Sequence, residues 1–257
     1  MKKKEITFEE RKKIQLEMLE EIDAFCRSHN IKYTLAYGTL IGAIRHKGFI
    51  PWDDDVDIMM PLPDLLRFKK EFRSEKIIYC DIDTHRGYYF PFPRLAYKTT
   101  YQKRGLVLKS YGVNIDLYYT IGIPDSDNEV NCFFRRANVL LRRRQKIHKI
   151  YTLATRLLPI KSVPFYNTII KNYRNYYLNA FSYKDCNRFF AVAGLPIWKE
   201  VYEFDMFKSL IDVKFENKTL LATADYHRFL TQEYGDYMTP PPENERVPYH
   251  GGHYFWK

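Results

Sequence analysis

Four aspartates stand close together in one short stretch of the chain: Asp53, Asp54, Asp55 and Asp57. Side chains alternate along an extended chain, so Asp53, Asp55 and Asp57 should share one face. Asp55 and Asp57 lead into the apolar residues 58–60, at the edge of a core, where unpaired carboxylates are unfavourable. A divalent cation resolves this conflict, because hard carboxylate oxygens suit Mg²⁺, which usually also contacts substrate phosphates. The pattern indicates a metal site for phosphate chemistry, with a solvated acidic turn as the alternative.

A glycine turn upstream supplies the complementary half of such a site. Gly38 and Thr39 follow a predicted strand over 33–36 and open a predicted short helix that ends near His46. We expect Thr39 to cap this helix. We also expect backbone amides at Gly38 to point at a phosphate, because glycine permits close approach and a helix N-terminus attracts anions. Glycine turns between a strand and a helix are common. This one indicates a phosphate site only because an Asp-x-Asp strand follows it.

Periodic patterns place the acidic stretch in a mixed α/β core. Helices are predicted over 7–29, where Thr7 and Glu10 form a capping box, and over 64–73. Further strands are predicted over 55–60, 77–81, 94–98 and 114–119, a hairpin over 210–221 and a helix over 223–234. We expect three parts: a catalytic core over 1–130, a basic helical subdomain over 131–200, and a hairpin, helix and tail over 201–257 that pack back on the core.

The positive charge of the chain is concentrated in one segment. The 257 residues carry a net charge of +10, yet residues 130–184 contain 12 of the 41 Lys and Arg residues and no acid. The other 29 basic and 31 acidic residues nearly balance. The segment therefore predicts an anionic partner: a nucleic acid, a phospholipid surface or a polyanionic substrate.

Within this segment, residues 133–158 predict an amphipathic helix that Pro159 and Pro164 bring to an end, and a Tyr-rich helix follows to about Phe181. An apolar stripe beside a dense Arg/Lys face is typical of a helix on a membrane surface. We expect residues 133–158 to contact anionic lipid of the inner leaflet. The alternative is that the stripe packs on the catalytic core and the basic face is solvated. No RNA-binding signature accompanies the segment, so we expect no nucleic-acid partner.

Composition and cysteine spacing exclude several classes of protein. With 46% hydrophobic and 28% charged residues, the chain is neither disordered nor a small disulfide scaffold. The four cysteines are widely separated without metal-ligand or redox spacing, which favours reduced thiols. No apolar run is long enough to span a bilayer, and we expect no signal peptide, because a Glu-rich stretch follows the basic N-terminus. We expect a cytoplasmic protein, with the inner face of the membrane as a peripheral location.

One block of the sequence resembles the signature of the LicD family of phosphocholine transferases, which fukutin and fukutin-related protein share. It covers residues 38–58 and reads Gly-Thr-Leu-Ile-Gly-Ala-Ile-Arg-His-Lys-Gly-Phe-Ile-Pro-Trp-Asp-Asp-Asp-Val-Asp-Ile. The resemblance continues at Asn114-Ile115-Asp116-Leu117 and returns at Tyr234-Gly235-Asp236-Tyr237. It implies an α/β nucleotidyltransferase-like fold with a mixed sheet and an added basic helical subdomain.

The resemblance also implies roles for individual residues. Gly38 and Thr39 would bind the donor phosphates, and Asp55, Asp57 and Asp116 would be catalytic ligands of Mg²⁺, with Mn²⁺ as an alternative ion. Asp116 would assist deprotonation of the acceptor hydroxyl. From their residue types, Arg45, Lys47 and Arg94 are further candidates for donor phosphate contacts, with a solvated surface role as the alternative for each. Additional site candidates are Asp53 and His250. Nominal aromatic candidates for a choline cage are Tyr118, Tyr119, Tyr254 and Trp256, with a core or packing role as the favoured reading for each.

The activity that the resemblance implies is transfer of phosphocholine, or a similar phospho-alcohol, from a CDP-activated donor, with CDP-choline favoured. The acceptor would be a hydroxyl of a cell-surface glycan or lipid-linked glycan precursor (teichoic acid, lipopolysaccharide or capsule), and CMP would be released. Transfer of ribitol phosphate or glycerol phosphate on the same fold is the alternative. A non-catalytic module that binds membrane or nucleic acid is a third reading, which the intact acidic and glycine motifs disfavour.

Overall fold

A computed structural model describes residues 4–85, 88–104, 108–157, 165–179, 181, 183–248 and 252–257. The helices are α1 (Phe8–Ser28), α2 (Tyr37–Ile41), α3 (Leu62–Glu71), α4 (Asp127–Leu157), α5 (Tyr166–Leu178) and α6 (Tyr226–Tyr234). The strands are β1 (Glu5–Ile6), β2 (Thr34–Leu35), β3 (Asp57–Pro61), β4 (Ile77–Cys80), β5 (Arg94–Tyr97), β6 (Thr100–Arg104), β7 (Leu108–Tyr111), β8 (Asn114–Ile123), β9 (Arg188–Val192), β10 (Val201–Tyr202), β11 (Leu210–Phe215), β12 (Lys218–Thr223) and β13 (Tyr254–Trp256). The mixed α/β architecture expected from the sequence is confirmed.

The chain forms two compact units, and both are discontinuous in sequence. The first unit contains residues 1–79, 94–118 and 206–257, and the second contains residues 80–93 and 119–205. The expected three-part division stays a prediction. Within the described part of the chain, no helix is both long and apolar enough to cross a bilayer.

Helix α1 anchors the core of the first unit. Thr7 accepts a hydrogen bond from the Glu10 backbone amide, and the Glu10 side chain accepts one from the Thr7 amide, which completes the expected capping box. Ile14, Met18 and Ile22 are buried along one face of the helix, as their spacing predicts. This face packs the helix onto the core because its apolar residues recur at the helical period.

Short strands of the first unit position the acidic stretch. Strand β2 pairs antiparallel with β3, and Leu35 lies opposite Ile58. Strand β5 pairs antiparallel with the first half of β8, and Arg94 lies opposite Asp116. A second sheet has the strand order β1-β13-β6-β7, and β11 and β12 form the expected hairpin. The predicted strand over 55–60 is shifted: β3 starts at Asp57, so Asp55 lies in the segment just before it.

Helices and antiparallel strands build the second unit. The second half of β8 pairs with β9, which pairs with β10, and α4 packs against α5. Phe133 of α4 stacks on Tyr176 of α5, with ring centroids 5.1 Å apart, and both Phe133 and Phe190 of β9 are buried. The predicted helix 133–158 is therefore confirmed as part of a longer helix whose first half is built into this unit.

Candidate active site

The four aspartates have different surroundings. Asp57 is buried at the start of β3, and its Oδ1 has no hydrogen-bond partner among the residues that the structure describes. Asp54 is buried in an ion pair with Arg11 of α1, with Arg11 Nη2 and Asp54 Oδ2 3.2 Å apart. Asp53 lies against the glycine turn, since a methyl group added to Gly38 would come within 2.6 Å of Asp53 Oδ2. Asp54 therefore stabilises the fold, whereas Asp53 and Asp57 face the candidate site.

Burial, and after it mutual repulsion, raises the pKa of carboxylates in this cluster. Burial, the charge of Asp55 and a hydrogen bond with the Asp55 side chain raise the pKa of Asp53 to about 7. Burial, followed by the charges of Asp55, Asp116 and Asp53, raises the pKa of Asp57 well above its ordinary value, and Arg94 opposes this shift. The carboxylates of Asp53, Asp55, Asp57 and Asp116 are thus close enough to interact, and each makes ionisation of the others less favourable.

Asp116 joins the cluster through the pairing of the strands. Its backbone amide donates to the Val56 carbonyl at 2.9 Å, which places β8 beside the segment that leads into β3. Its carboxylate is held by Arg94 through two contacts, Nε to Oδ1 at 2.6 Å and Nη2 to Oδ2 at 2.7 Å. Asn114 Nδ2 also donates to Oδ1 at 2.8 Å. Arg94, expected at the donor phosphates, thus lies on Asp116, and its phosphate contact stays a prediction.

The glycine turn is tied directly to the acidic strand. The Thr39 hydroxyl oxygen accepts a hydrogen bond from the Asp57 backbone amide at 2.8 Å, and the Ala36 amide donates to the Asp57 carbonyl at 3.0 Å. The expectation that Thr39 caps the helix is wrong: α2 begins at Tyr37, with Ala36 at the N-cap position and no side-chain cap. Thr39 therefore sits inside the helix, where its hydroxyl oxygen serves Asp57 instead.

Two of the expected phosphate-binding cations lie in a π-helical turn over Gly42–His46 and directly after it. Arg45 Nη1 donates to the Tyr237 carbonyl at 2.7 Å, and Lys47 Nζ donates to the Ile44 carbonyl at 3.0 Å. Within the described part of the chain, neither side chain forms a hydrogen bond or an ion pair with the aspartates. The structure therefore does not bring Arg45 or Lys47 onto the carboxylates. His250 lies outside the described residues.

One aromatic pair lies beside the carboxylates. The rings of Tyr37 and Tyr118 meet edge to face, with centroids 5.2 Å apart. Burial, followed by the charges of Asp57 and Asp116, raises the pKa of Tyr118 well above its ordinary value, so its ring is close to the acidic cluster. Tyr118 was among the expected cage residues, whereas Tyr37 was missed. Its position directly before Gly38 is the only signal that the sequence carries for it.

The other cage candidates have different neighbours. Tyr119 is buried in the second unit and donates to the Pro91 carbonyl at 3.4 Å. Tyr254 and Trp256 belong to β13, which pairs with β6. The ion pair between Arg11 and Asp54 was also missed, although an arginine on the apolar face of an amphipathic helix is a recognisable sign of a buried acidic partner.

The carboxylates fit a hard divalent cation. An all-oxygen donor set suits Mg²⁺ or Mn²⁺, and the unpartnered Oδ1 of buried Asp57 is the kind of atom that a cation satisfies. Within the described ranges, no group of three or more His, Cys, Asp or Glu side chains is arranged as a metal site. Arg94 already occupies both oxygens of Asp116. Asp55 and Asp57 are the residues that would hold the ion, and the expected role of Asp116 as a third ligand stays a prediction.

The geometry agrees with comparisons to known proteins. A family model described as "LicD/FKTN/FKRP, nucleotidyltransferase domain" matches residues 30–175, a span that contains the turn, the four clustered aspartates and Asp116. The chain belongs to this family. The family resemblance read from the sequence is thereby confirmed.

Relatives of this LicD-family chain include one protein with a stated activity. The lipopolysaccharide cholinephosphotransferase LicD of Haemophilus influenzae is 27% identical over 259 residues, which cover 96% of this chain and 97% of the relative. An uncharacterized protein of Rickettsia prowazekii is 27% identical over 149 residues, 58% of this chain and 46% of that protein. One of Rickettsia typhi is 39% identical over 62 residues, 24% of this chain and 20% of that protein.

Proposed function

We propose that this chain transfers phosphocholine from CDP-choline to a hydroxyl of a cell-surface glycan, such as a lipopolysaccharide, and releases CMP. The observation that carries the proposal is the buried Asp57, whose unpartnered oxygen lies among other carboxylates and whose backbone is bonded to the glycine turn. The similarity to the cholinephosphotransferase over nearly the whole chain supports the same chemistry. The donor alcohol and the acceptor belong to the proposal.

In this proposal Mg²⁺, with Mn²⁺ as an alternative, is held by Asp55 and Asp57 and, when bound, neutralises charge on the donor diphosphate. The residues of the chain supply the positioning on which phosphoryl transfer depends. Thr39 fixes the backbone of Asp57, and Gly38 leaves space beside Asp53. Arg94 orients the Asp116 carboxylate, which is the group that we assign to accept the proton of the acceptor hydroxyl.

The aromatic pair is the reason to prefer choline over a polyol. A quaternary ammonium binds the faces of aromatic rings and is attracted by nearby negative charge. Tyr37 and Tyr118 supply two rings at nearly a right angle beside the carboxylate cluster. Ribitol and glycerol carry hydroxyls, which gain nothing from a cation–π contact, and so they are the alternative donors to be tested.

The test is CMP release from CDP-choline, CDP-ribitol and CDP-glycerol, with lipopolysaccharide or teichoic acid as the acceptor. We expect Mg²⁺-dependent turnover that is fastest with CDP-choline. Turnover should be at least about 100-fold slower in Asp57→Asn, because even a change to a residue that only orients a metal ligand costs up to about 100-fold in activity. Asp212→Asn, which changes an exposed aspartate of β11, is the matched control and should keep full activity. Full activity in Asp57→Asn, or preference for a polyol donor, would contradict the respective part of the proposal.

The choice of donor can be tested separately at Tyr118. Tyr118→Phe keeps the ring and should retain the preference for CDP-choline, whereas Tyr118→Leu should raise KM for CDP-choline about tenfold with little change for CDP-ribitol. Equal losses with both donors in Tyr118→Leu would show that the ring only packs.

A further inference from the structure

An open groove lies in the second unit, between one face of α4 and the segment at residues 196–198, and its volume is about 690 Å³. On the helix side, Asn128, Asn131, Arg135 and Asn138 recur every three or four residues, so they form one stripe along the helix. All four are exposed. Neither the carboxylate cluster nor the glycine turn uses any of them.

The opposite side of the groove presents an indole that the protein holds in place. Trp198 Nε1 donates to Asn131 Oδ1 at 3.2 Å, and the ring of Phe134 meets the indole edge-on with centroids 5.7 Å apart. The Arg188 guanidinium lies 5.5 Å from the centroid of the indole. Trp198 nevertheless remains 41% exposed, and Ile197 beside it is exposed to a similar degree. A fixed and exposed aromatic surface is available without a large cost in side-chain entropy.

The polar stripe has hydrogen-bonding groups that are not used in bonds to other described residues of the protein. Among the residues that the structure describes, neither Asn128 nor Arg135 forms a side-chain hydrogen bond or an ion pair. Asn131 uses its carbonyl oxygen for Trp198, which leaves its NH₂ group, and Asn138 donates to the Phe134 carbonyl at 3.0 Å, which leaves its oxygen. The groove thus presents donors, acceptors and one cation to a ligand.

We propose that this groove binds a carbohydrate chain that carries an anionic substituent, and that it holds the glycan acceptor; this second part rests on the proposed function. The apolar C–H face of a pyranose ring stacks on an indole, while its hydroxyls both donate and accept, as the amides of Asn128, Asn131 and Asn138 require. Arg135 adds a site for a phosphate or carboxylate on the sugar. A purely apolar occupant would cover these polar groups without satisfying them.

The test is direct binding of a core oligosaccharide, released from lipopolysaccharide without its lipid, measured by saturation-transfer NMR and calorimetry in the absence of any donor. The oligosaccharide is used with its phosphates intact and after dephosphorylation. We expect Trp198→Ala and Asn128→Ala to weaken binding of both forms, by about tenfold or more for the tryptophan. We expect Arg135→Gln to weaken binding of the phosphorylated form alone. Arg136→Gln, on the same turn of the helix, and Leu195→Ala, next to the loop, are matched controls and should bind as the wild type does.

The outcomes separate this inference from the proposed function. If no donor yields CMP but Trp198→Ala still loses the oligosaccharide, the groove stands and the proposed transfer falls. If CMP is released but Trp198→Ala and Asn128→Ala bind the oligosaccharide as tightly as the wild type, the groove is wrong. Failure of the wild-type protein to bind at millimolar oligosaccharide also overturns it. Asn128 is exposed and forms no side-chain hydrogen bond with the described residues, so its variant remains informative if Trp198→Ala does not fold.

Discussion

Asp57 is buried with one side-chain oxygen unpartnered among the described residues and with three other carboxylates acting on it. A buried carboxylate in this position destabilises the metal-free fold when it is ionised, because its burial and its neighbours both oppose the charge. In the proposed function, a cation bound by Asp57 would offset this destabilisation, an arrangement that is common at functional sites.

Asp57→Asn should stabilise the metal-free protein and abolish its response to Mg²⁺. At pH 8 we expect a higher Tm for the variant than for the wild type, because a repulsive charge is removed and the new amide can donate to the neighbouring carboxylates. Saturating Mg²⁺, at about 100 times its Kd, should raise Tm of the wild type by about 5 to 10 °C. Thermal scans with and without MgCl₂ provide the measurement, and an equal Mg²⁺ response in both proteins would refute the assignment of Asp57 as a ligand.

The same cluster predicts a pH dependence. The pKa of Asp53 is raised in the folded state from 3.8 to about 7, so the folded protein holds this proton more tightly than the unfolded chain does. Between these two values, stability of the metal-free protein should fall as pH rises, and this loss should be complete above about pH 7. Asp53→Asn should flatten this part of the curve in urea titrations. A stability that instead rises from pH 4 to 7 by the same amount in both proteins would contradict the assignment.

Substitution of Gly38 should be harmful because a side chain there would contact Asp53, and not because of the backbone angles of Gly38. A methyl group at position 38 would lie 2.6 Å from Asp53 Oδ2, so Gly38→Ala should push the Asp53 carboxylate aside while the fold survives. We expect KM for the donor to rise about tenfold, a loss of about 1.4 kcal/mol. In an Asp53→Ala background the same change should cost little more, which a double-mutant cycle on CMP release measures. Additive losses would locate the damage elsewhere in the turn.

At the scale of elements, α4 combines two surfaces. Its buried face includes Val130, Phe133, Ala137 and Leu141, so the first half of the helix packs within the second unit. Packing of the predicted stripe on the catalytic core stays a prediction. Arg144 is also buried, at 6% exposed, with its guanidinium 4.1 Å from the centroid of Tyr89 and 4.7 Å from that of Tyr173.

The opposite face of α4 remains open. Val139, Ile150 and Leu153 are exposed there beside basic side chains that do not line the groove, which are Arg136, Arg142, Arg143, Lys146 and Lys149. We propose that this face, rather than the buried stripe, contacts anionic lipid. Arg144 does not belong to it, since two tyrosine rings enclose its side chain within the unit.

Co-sedimentation with vesicles tests the open face. We expect binding to vesicles that contain anionic lipid, weakened by salt and by the combined change Arg142→Glu, Arg143→Glu and Lys146→Glu. Each basic residue near such a surface contributes about 1 kcal/mol, so three reversals should weaken binding at least about 100-fold. Lys171→Glu, on α5, is the control for charge alone. If the wild type does not bind anionic vesicles at low salt, the membrane contact is wrong.

At the scale of the whole molecule, the end of the chain completes the first unit. Strand β13 pairs with both β1 and β6, and the Thr223 amide donates to Thr34 Oγ1 at 2.8 Å. The turn of the hairpin also contacts the segment before the acidic stretch, since the Phe49 amide donates to Glu216 Oε1 at 2.9 Å. Residues 206–257 therefore stabilise the segment that carries the aspartates.

A fragment of residues 1–130 should consequently fail to fold alone. It lacks β13, so β1 loses its pairing strand and β6 keeps only β7, and it lacks the hairpin that meets Phe49. We expect no cooperative urea transition by circular dichroism, with the full chain as the control. A fragment 1–130 that unfolds cooperatively would show that the core is independent of the C-terminal residues.

Local rules made much of this molecule readable from its sequence. The capping box at Thr7 and Glu10, the apolar stripe of α1 and the hairpin around Glu216 all depend on residues a few positions apart, and all are present. The Asp-x-Asp and Gly-Thr motifs identified the family because the residues that carry them form one continuous block. The predicted boundaries of β3 and α2 were less accurate, since these elements begin at Asp57 and Tyr37. The hydrogen bond that joins Asp57 to Thr39 links residues far apart in sequence, which local patterns do not encode.

Contacts between distant residues were decided by the tertiary structure alone. Arg94 lies on Asp116 because the register of β5 against β8 places the two opposite each other, and no local pattern encodes that register. Tyr37 meets Tyr118, and Trp198 meets the polar stripe of α4, because the fold brings segments that are distant in sequence together. The sequence determined which residue types are available for chemistry. Packing determined which of them interact and shift one another's pKa, because burial and proximity arise only when separate segments are brought together.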